Sequence, residues 1–166
     1  MFAYCNNNPV SRTDPAGSLW RIAIAIVAAV VMLAGCDALQ GEVLVISNSE
    51  KGWMDSSQVM GEDMASAIGA KASYVEAVTN NFSNTWNETT ANYLIIHTHG
   101  SPNGFFGSDL SFTTSDIGQL HNNSNINLVL ITACEVGGSN GTNANMAQLI
   151  SQKIAPNGIE IGRAHV

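Results

Sequence analysis

Two short apolar runs constrain this chain more than any other feature: Asn92-Tyr-Leu-Ile-Ile-His-Thr-His-Gly100 and Asn127-Leu-Val-Leu-Ile-Thr-Ala-Cys134. Each has the length of a strand and lacks polar alternation, the pattern of a strand buried on both faces of a parallel sheet. Each also delivers a reactive side chain where the strand should end, His99 in one and Cys134 in the other. The carboxyl ends of parallel strands are where open α/β sheets build their sites. The two residues lie 35 positions apart, enough for one crossover connection between parallel strands. Each has a plainer reading alone, the cysteine as a small buried hydrophobe and the histidine as a loop residue. The repeated layout favours a pair, since a thiol beside an imidazole is what a cysteine nucleophile with a histidine base requires.

Around these junctions the pattern continues as α/β. Val43–Ser47 reads as a first buried strand, and Met60, Met64 and Ile68 keep helical spacing across residues 56–71. Residues 72–78 supply a second strand and the Asn-rich stretch 80–90 a polar loop. Tyr93–His97 and Leu128–Thr132 are the third and fourth strands. Phe105, Phe106, Leu110 and Phe112 suggest a small hairpin beside the site, and Thr113-Thr-Ser-Asp116 a capping box opening a short helix through Leu120. Residues 144–155 form an amphipathic helix stopped by Pro156-Asn-Gly158.

Composition narrows the chemistry. With 166 residues there is room for one domain plus appendages. A net charge of −7 argues against a nucleic-acid surface, because that affinity comes largely from Lys and Arg. Cys5, Cys36 and Cys134 are odd in number and far apart, so they form neither a disulfide framework nor a zinc spacing, and Cys134 reads as a thiol working in a reducing compartment. No cofactor is expected.

An apolar strand closed by His-Gly, then one closed by Ala-Cys, resembles the caspase-like cysteine peptidases over about residues 42–159. The resemblance implies a three-layer α/β/α sandwich with a mostly parallel sheet. It makes Cys134 the nucleophile and His99 the base, with the backbone amides of Gly100 and Cys134 as the oxyanion hole. The true caspases carry Gln-Ala-Cys-x-Gly, whereas this chain reads Thr132-Ala-Cys-Glu-Val-Gly137 with one residue more before the glycine. It is therefore similar to relatives outside the true caspases, and the substrate preference does not transfer. His97 shares a face with His99 on a regular strand, so His-x-His also admits a weaker reading as a metal-dependent hydrolase, which needs further ligands.

The flanks carry a second resemblance. Tyr4-Cys-Asn-Asn-Asn-Pro-Val10 followed by Asp14-Pro-Ala-Gly17 resembles the end of the core domain of Rhs-repeat proteins. That family follows this motif with a variable exported toxin domain, which implies a toxin acting in a target cell and a cognate immunity protein as partner. Ile22 to Cys36 is an uncharged stretch, short for a membrane span. It is expected as an apolar helix that contacts a membrane in passage, as a buried helix, or as a lipoprotein box ending on Cys36, which Val31-Met-Leu-Ala-Gly-Cys36 resembles. Residues 160–166 read as a translated sequencing adapter, so strands after the last helix are expected to be missing. The plan is thus 1–17 as the end of an Rhs core, 18–40 as an apolar linker, 41–159 as an incomplete peptidase domain, and 160–166 as foreign sequence. The function expected is cleavage of a protein or peptide substrate. The alternative is an inactive or membrane-inserting tip.

Overall fold

Residues 41–50, 52–156 and 158–162 are described by a computed structural model. The first half runs β1 (Glu42–Ser47), α1 (Trp53–Ile68), β2 (Lys71–Glu76), α2 (Thr79–Glu88) and β3 (Tyr93–His97). The second half continues with β4 (His99–Ser101), β5 (Gly104–Phe106), β6 (Ser111–Thr113), a 3₁₀ helix (Thr114–Gln119), β7 (Leu128–Ile131), α3 (Met146–Ser151) and β8 (Ile159–Gly162). Five strands make one parallel sheet in the order β2-β1-β3-β7-β8, flanked by helices. The chain is thus a mixed α/β fold, and β4-β5-β6 form a separate antiparallel sheet.

The uninterrupted apolar runs are explained by burial on both faces. Val43, Val45, Tyr93, Ile95, Leu128 and Leu130 share one cluster with Met60, Met64 and Ile68 of α1. Leu44, Ile46, Leu94, Ile96, Val129 and Ile131 share the other with Phe82 and Trp86 of α2 and Met146 and Ile150 of α3. Each such side chain contributes about 1.5–3 kcal/mol by leaving water. At Gly61, a Cβ would meet Tyr74 Oη and Val45 Cγ2 at 2.8 Å, so glycine lets α1 lie close on the sheet.

Three elements differ from the sequence expectation. The stretch 80–90 is helix α2 as far as Glu88, not a loop. Asn lowers intrinsic helix propensity, but Phe82 and Trp86, four residues apart, are wholly buried and outweigh it. Asparagine side chains then tie the helix down: Asn87 Nδ2 donates to the Gln119 carbonyl at 2.9 Å, and Asn123 Nδ2 to the Trp86 carbonyl at 2.9 Å. The capping box at Thr113 forms, with the Thr113 amide donating to Asp116 at 2.9 Å, but it opens a 3₁₀ turn rather than an α-helix. The final helix is shorter than expected, starting after an Asn145 cap whose Oδ1 accepts from the Gln148 amide.

The segment after that helix adds a strand, β8, that takes in residues 160–162 of the tail read as adapter sequence. Glu160 pairs with Val129, so its parity sets it on the α3 face of the sheet. Burial pushes its carboxyl up to about 7, and Oε1 finds no hydrogen-bond partner. The Rhs-like residues 1–17 and the apolar run with Cys36 lie outside the described residues; among those described, no helix is long and apolar enough to cross a membrane.

Candidate active site

The register of the central strands fixes where the two junctions meet. β3 pairs β7 with Tyr93 opposite Leu128 and Ile96 opposite Ile131, an offset of 35 residues. That is the separation of His99 from Cys134, so each follows the last paired residue of its strand, Ile96 or Ile131, by three positions. The Thr132 hydroxyl meets His97 on the α1 face, and ring contacts with Trp53 of α1 hold His97 and His99 there too.

Contact between the junctions is made at Gly100. A Cβ there would meet Val136 Cγ1 at 2.6 Å and both Ala133 Cβ and the Cys134 carbonyl at 2.7 Å. The space its missing side chain leaves is filled by the cysteine loop, so glycine is needed to seat one loop on the other. Ala133 and Val136 are wholly buried, while Cys134 and Glu135 between them are exposed. Glu135 takes a left-handed backbone with φ of 57°. A non-glycine residue in that region costs about 1–3 kcal/mol, which the buried residues on either side supply. The thiol is thereby carried on a tight, exposed turn.

His97 and His99 have opposite surroundings. His97 Nδ1 lies 2.6 Å from Thr132 Oγ1 and Nε2 3.0 Å from Ser56 Oγ. Burial lowers its pKa to about 4, with the neighbouring His99 adding to the effect, so His97 is neutral at pH 7. Both ring nitrogens are committed to hydroxyls, and a metal would have to displace one of them. No group of three or more His, Cys, Asp or Glu that could hold an ion occurs among the described residues. His99 is 52% exposed, and its Nε2 lies 3.6 Å from Glu50 Oε2. Trp53 touches both imidazoles, with ring centroids 4.5 Å apart in each case, tilted to His97 and edge-on to His99.

Four residues near the proposed pair were not singled out in the sequence. Thr132 was within reach of pattern reasoning, since the 35-residue offset sets it opposite His97. Glu50, Trp53 and Ser56 carry no such signal, because the turn from β1 into α1 brings them over the sheet edge only after folding. His121 is exposed, and its carbonyl accepts from Trp86 Nε1 at 3.0 Å. Comparison with protein-family models, with characterised proteins and with solved structures yields no match.

Proposed function

We propose that this chain is a cysteine endopeptidase of caspase-like type, with a three-layer α/β/α arrangement, serving as the toxin tip of an Rhs-type effector. The observation that carries the reading is that the segments bearing His99 and Cys134 follow the carboxyl ends of adjacent parallel strands and pack on each other, Gly100 against Ala133 and the Cys134 carbonyl. In the reaction the Cys134 thiol gives its proton to His99, and the thiolate attacks the scissile carbonyl carbon. The amides of Gly100 and Cys134 receive the oxyanion. His99 then passes its proton to the leaving amine as the peptide bond breaks, which leaves a thioester on Cys134. Water activated by His99 cleaves the thioester and restores the thiol. The composition supports a peptide rather than a nucleic-acid substrate.

The Rhs-like motif of residues 4–17 supports export and a cognate immunity protein. Ile22–Cys36 is the segment that would touch a membrane, as a helix in passage or through a lipidated Cys36. Cleavage of a peptide library by the full chain tests the reading. Cys134→Ala and His99→Ala should each abolish cleavage and toxicity, while full toxicity in both would leave the membrane-inserting alternative, read out by liposome leakage. Inhibition by a chelator but not by a thiol alkylator would favour metal-dependent hydrolysis at His97 and His99 instead.

A further inference from the structure

We propose that Glu50, on the turn from β1 into α1, and Trp53, the first residue of α1, are positioning residues for His99. This rests on the peptidase reading above. A half-exposed imidazole has two soft torsions and two chemically different nitrogens, so a base of this kind works only when something fixes its angle and its tautomer. The fold supplies both from one segment.

Trp53 fixes the angle. Its ring is trapped against His97, whose own ring is held on one side by Thr132 and on the other by Ser56, one turn along α1 from Trp53. The free edge of that assembly meets His99 at 4.5 Å between centroids. Glu50 fixes the tautomer. Its carboxylate, 3.6 Å from Nε2, favours the proton on that nitrogen and leaves the Nδ1 lone pair to accept the proton of Cys134. When the sulfur gives up its proton, the new imidazolium lies beside the Glu50 carboxylate and against the Trp53 ring. His97 stays neutral and adds no opposing charge. The titratable groups shown to face His99 are thus Glu50 from the turn before α1 and His97 from β3, and the Cys134 carbonyl packs against the neighbouring Gly100. The pair with Glu50 is exposed and adds little to stability; its effect is on orientation.

The test reads Cys134 directly. The rate of its alkylation by iodoacetamide at pH 7 is followed on the full chain by mass spectrometry of the Cys134 peptide. Under the proposal His99→Ala slows it about tenfold or more, and Glu50→Ala and Trp53→Ala each slow it about threefold to tenfold, because thiolate supply depends on a correctly placed base. Glu50→Gln, which keeps an acceptor for Nε2–H, and Trp53→Phe, which keeps a ring, each recover most of the rate. In peptide cleavage Glu50→Ala lowers kcat and leaves KM in place. Trp53→Leu replaces Trp53→Ala if circular dichroism shows that the alanine variant does not fold. Wild-type alkylation in Glu50→Ala and Trp53→Ala alongside a slow His99→Ala would overturn the positioning role and leave the peptidase reading standing. An unchanged rate in His99→Ala would overturn the peptidase reading itself.

Discussion

The ends of β3 and β7 and the outer strand β8 treat their buried polar groups in opposite ways. At the first, His97 is surrounded by hydroxyls on both ring nitrogens, and the residue beyond it on the same face is exposed. At the second, Glu160 is sunk on the α3 face of the sheet with Oε1 unpartnered and its carboxyl pushed up to about 7. A buried polar group that is fully bonded holds its neighbours in one arrangement, whereas one left unbonded costs about 1–3 kcal/mol. The first region has the economy of a built site; the second has a residue ill-suited to its slot.

The largest effect expected from breaking this comparison is at the thiol. Cys134→Ala and His99→Ala should each drop peptide cleavage by at least about 10²-fold with an unchanged thermal midpoint, since both side chains are exposed. Loss of fold in either variant would mean that the junction is structural.

Next comes His97. Its folded pKa of about 4 lies below the ordinary histidine value of 6.5, so between those two values the unfolded chain takes up a proton that the folded chain refuses. Its contribution to stability is therefore full above pH 6.5 and is lost as pH falls towards 4. A separation of that size corresponds to about 3 kcal/mol. Urea unfolding between pH 7 and pH 4 should show the fall, and His97→Gln should flatten it.

Gly100→Ala comes third, at about 1–3 kcal/mol, because the added methyl would collide with Val136, Ala133 and the Cys134 carbonyl. Unlike the first two variants it should lower the thermal midpoint and activity together, by prising the loops apart.

Glu160→Val comes last as the only variant expected to gain stability at pH 7, because the native carboxyl is penalised there. Its folded pKa is raised above the ordinary carboxylate value of 4.5, so the native residue is tolerated at low pH and penalised as pH rises through 7. The gain should therefore vanish near pH 4.5. An equal gain at both pH values would show that side-chain size, not charge, is at fault.

Much of this was legible in the chain itself, and what was not has a physical reason. Residues such as Val43–Ile46 and Leu128–Ile131 announce buried strands because no polar residue interrupts them, and the Met60, Met64, Ile68 stripe announces α1. The distance from His99 to Cys134 could be counted, although that it equals the strand register is visible only once β3 and β7 are paired. Helix α2 was hidden because its asparagines argue against a helix and only Phe82 and Trp86 argue for one. Glu50 and Trp53 could not be found because their meeting with His99 is made by a turn, and turns leave no periodicity. Gly100 was legible as a glycine beside the site, but its packing against Ala133, Val136 and the Cys134 carbonyl is visible only once the two loops meet.

The pairing of β7 with β3 has a consequence for the life of the molecule. The β1-α1-β2 unit is assembled from near neighbours in the chain, while the sulfur-bearing strand must dock across a long closed loop, a slower and later event in folding. Until it docks, His99 and Cys134 belong to separate pieces of chain. The step that seats β7 beside β3 is therefore also the one that brings the two junctions together.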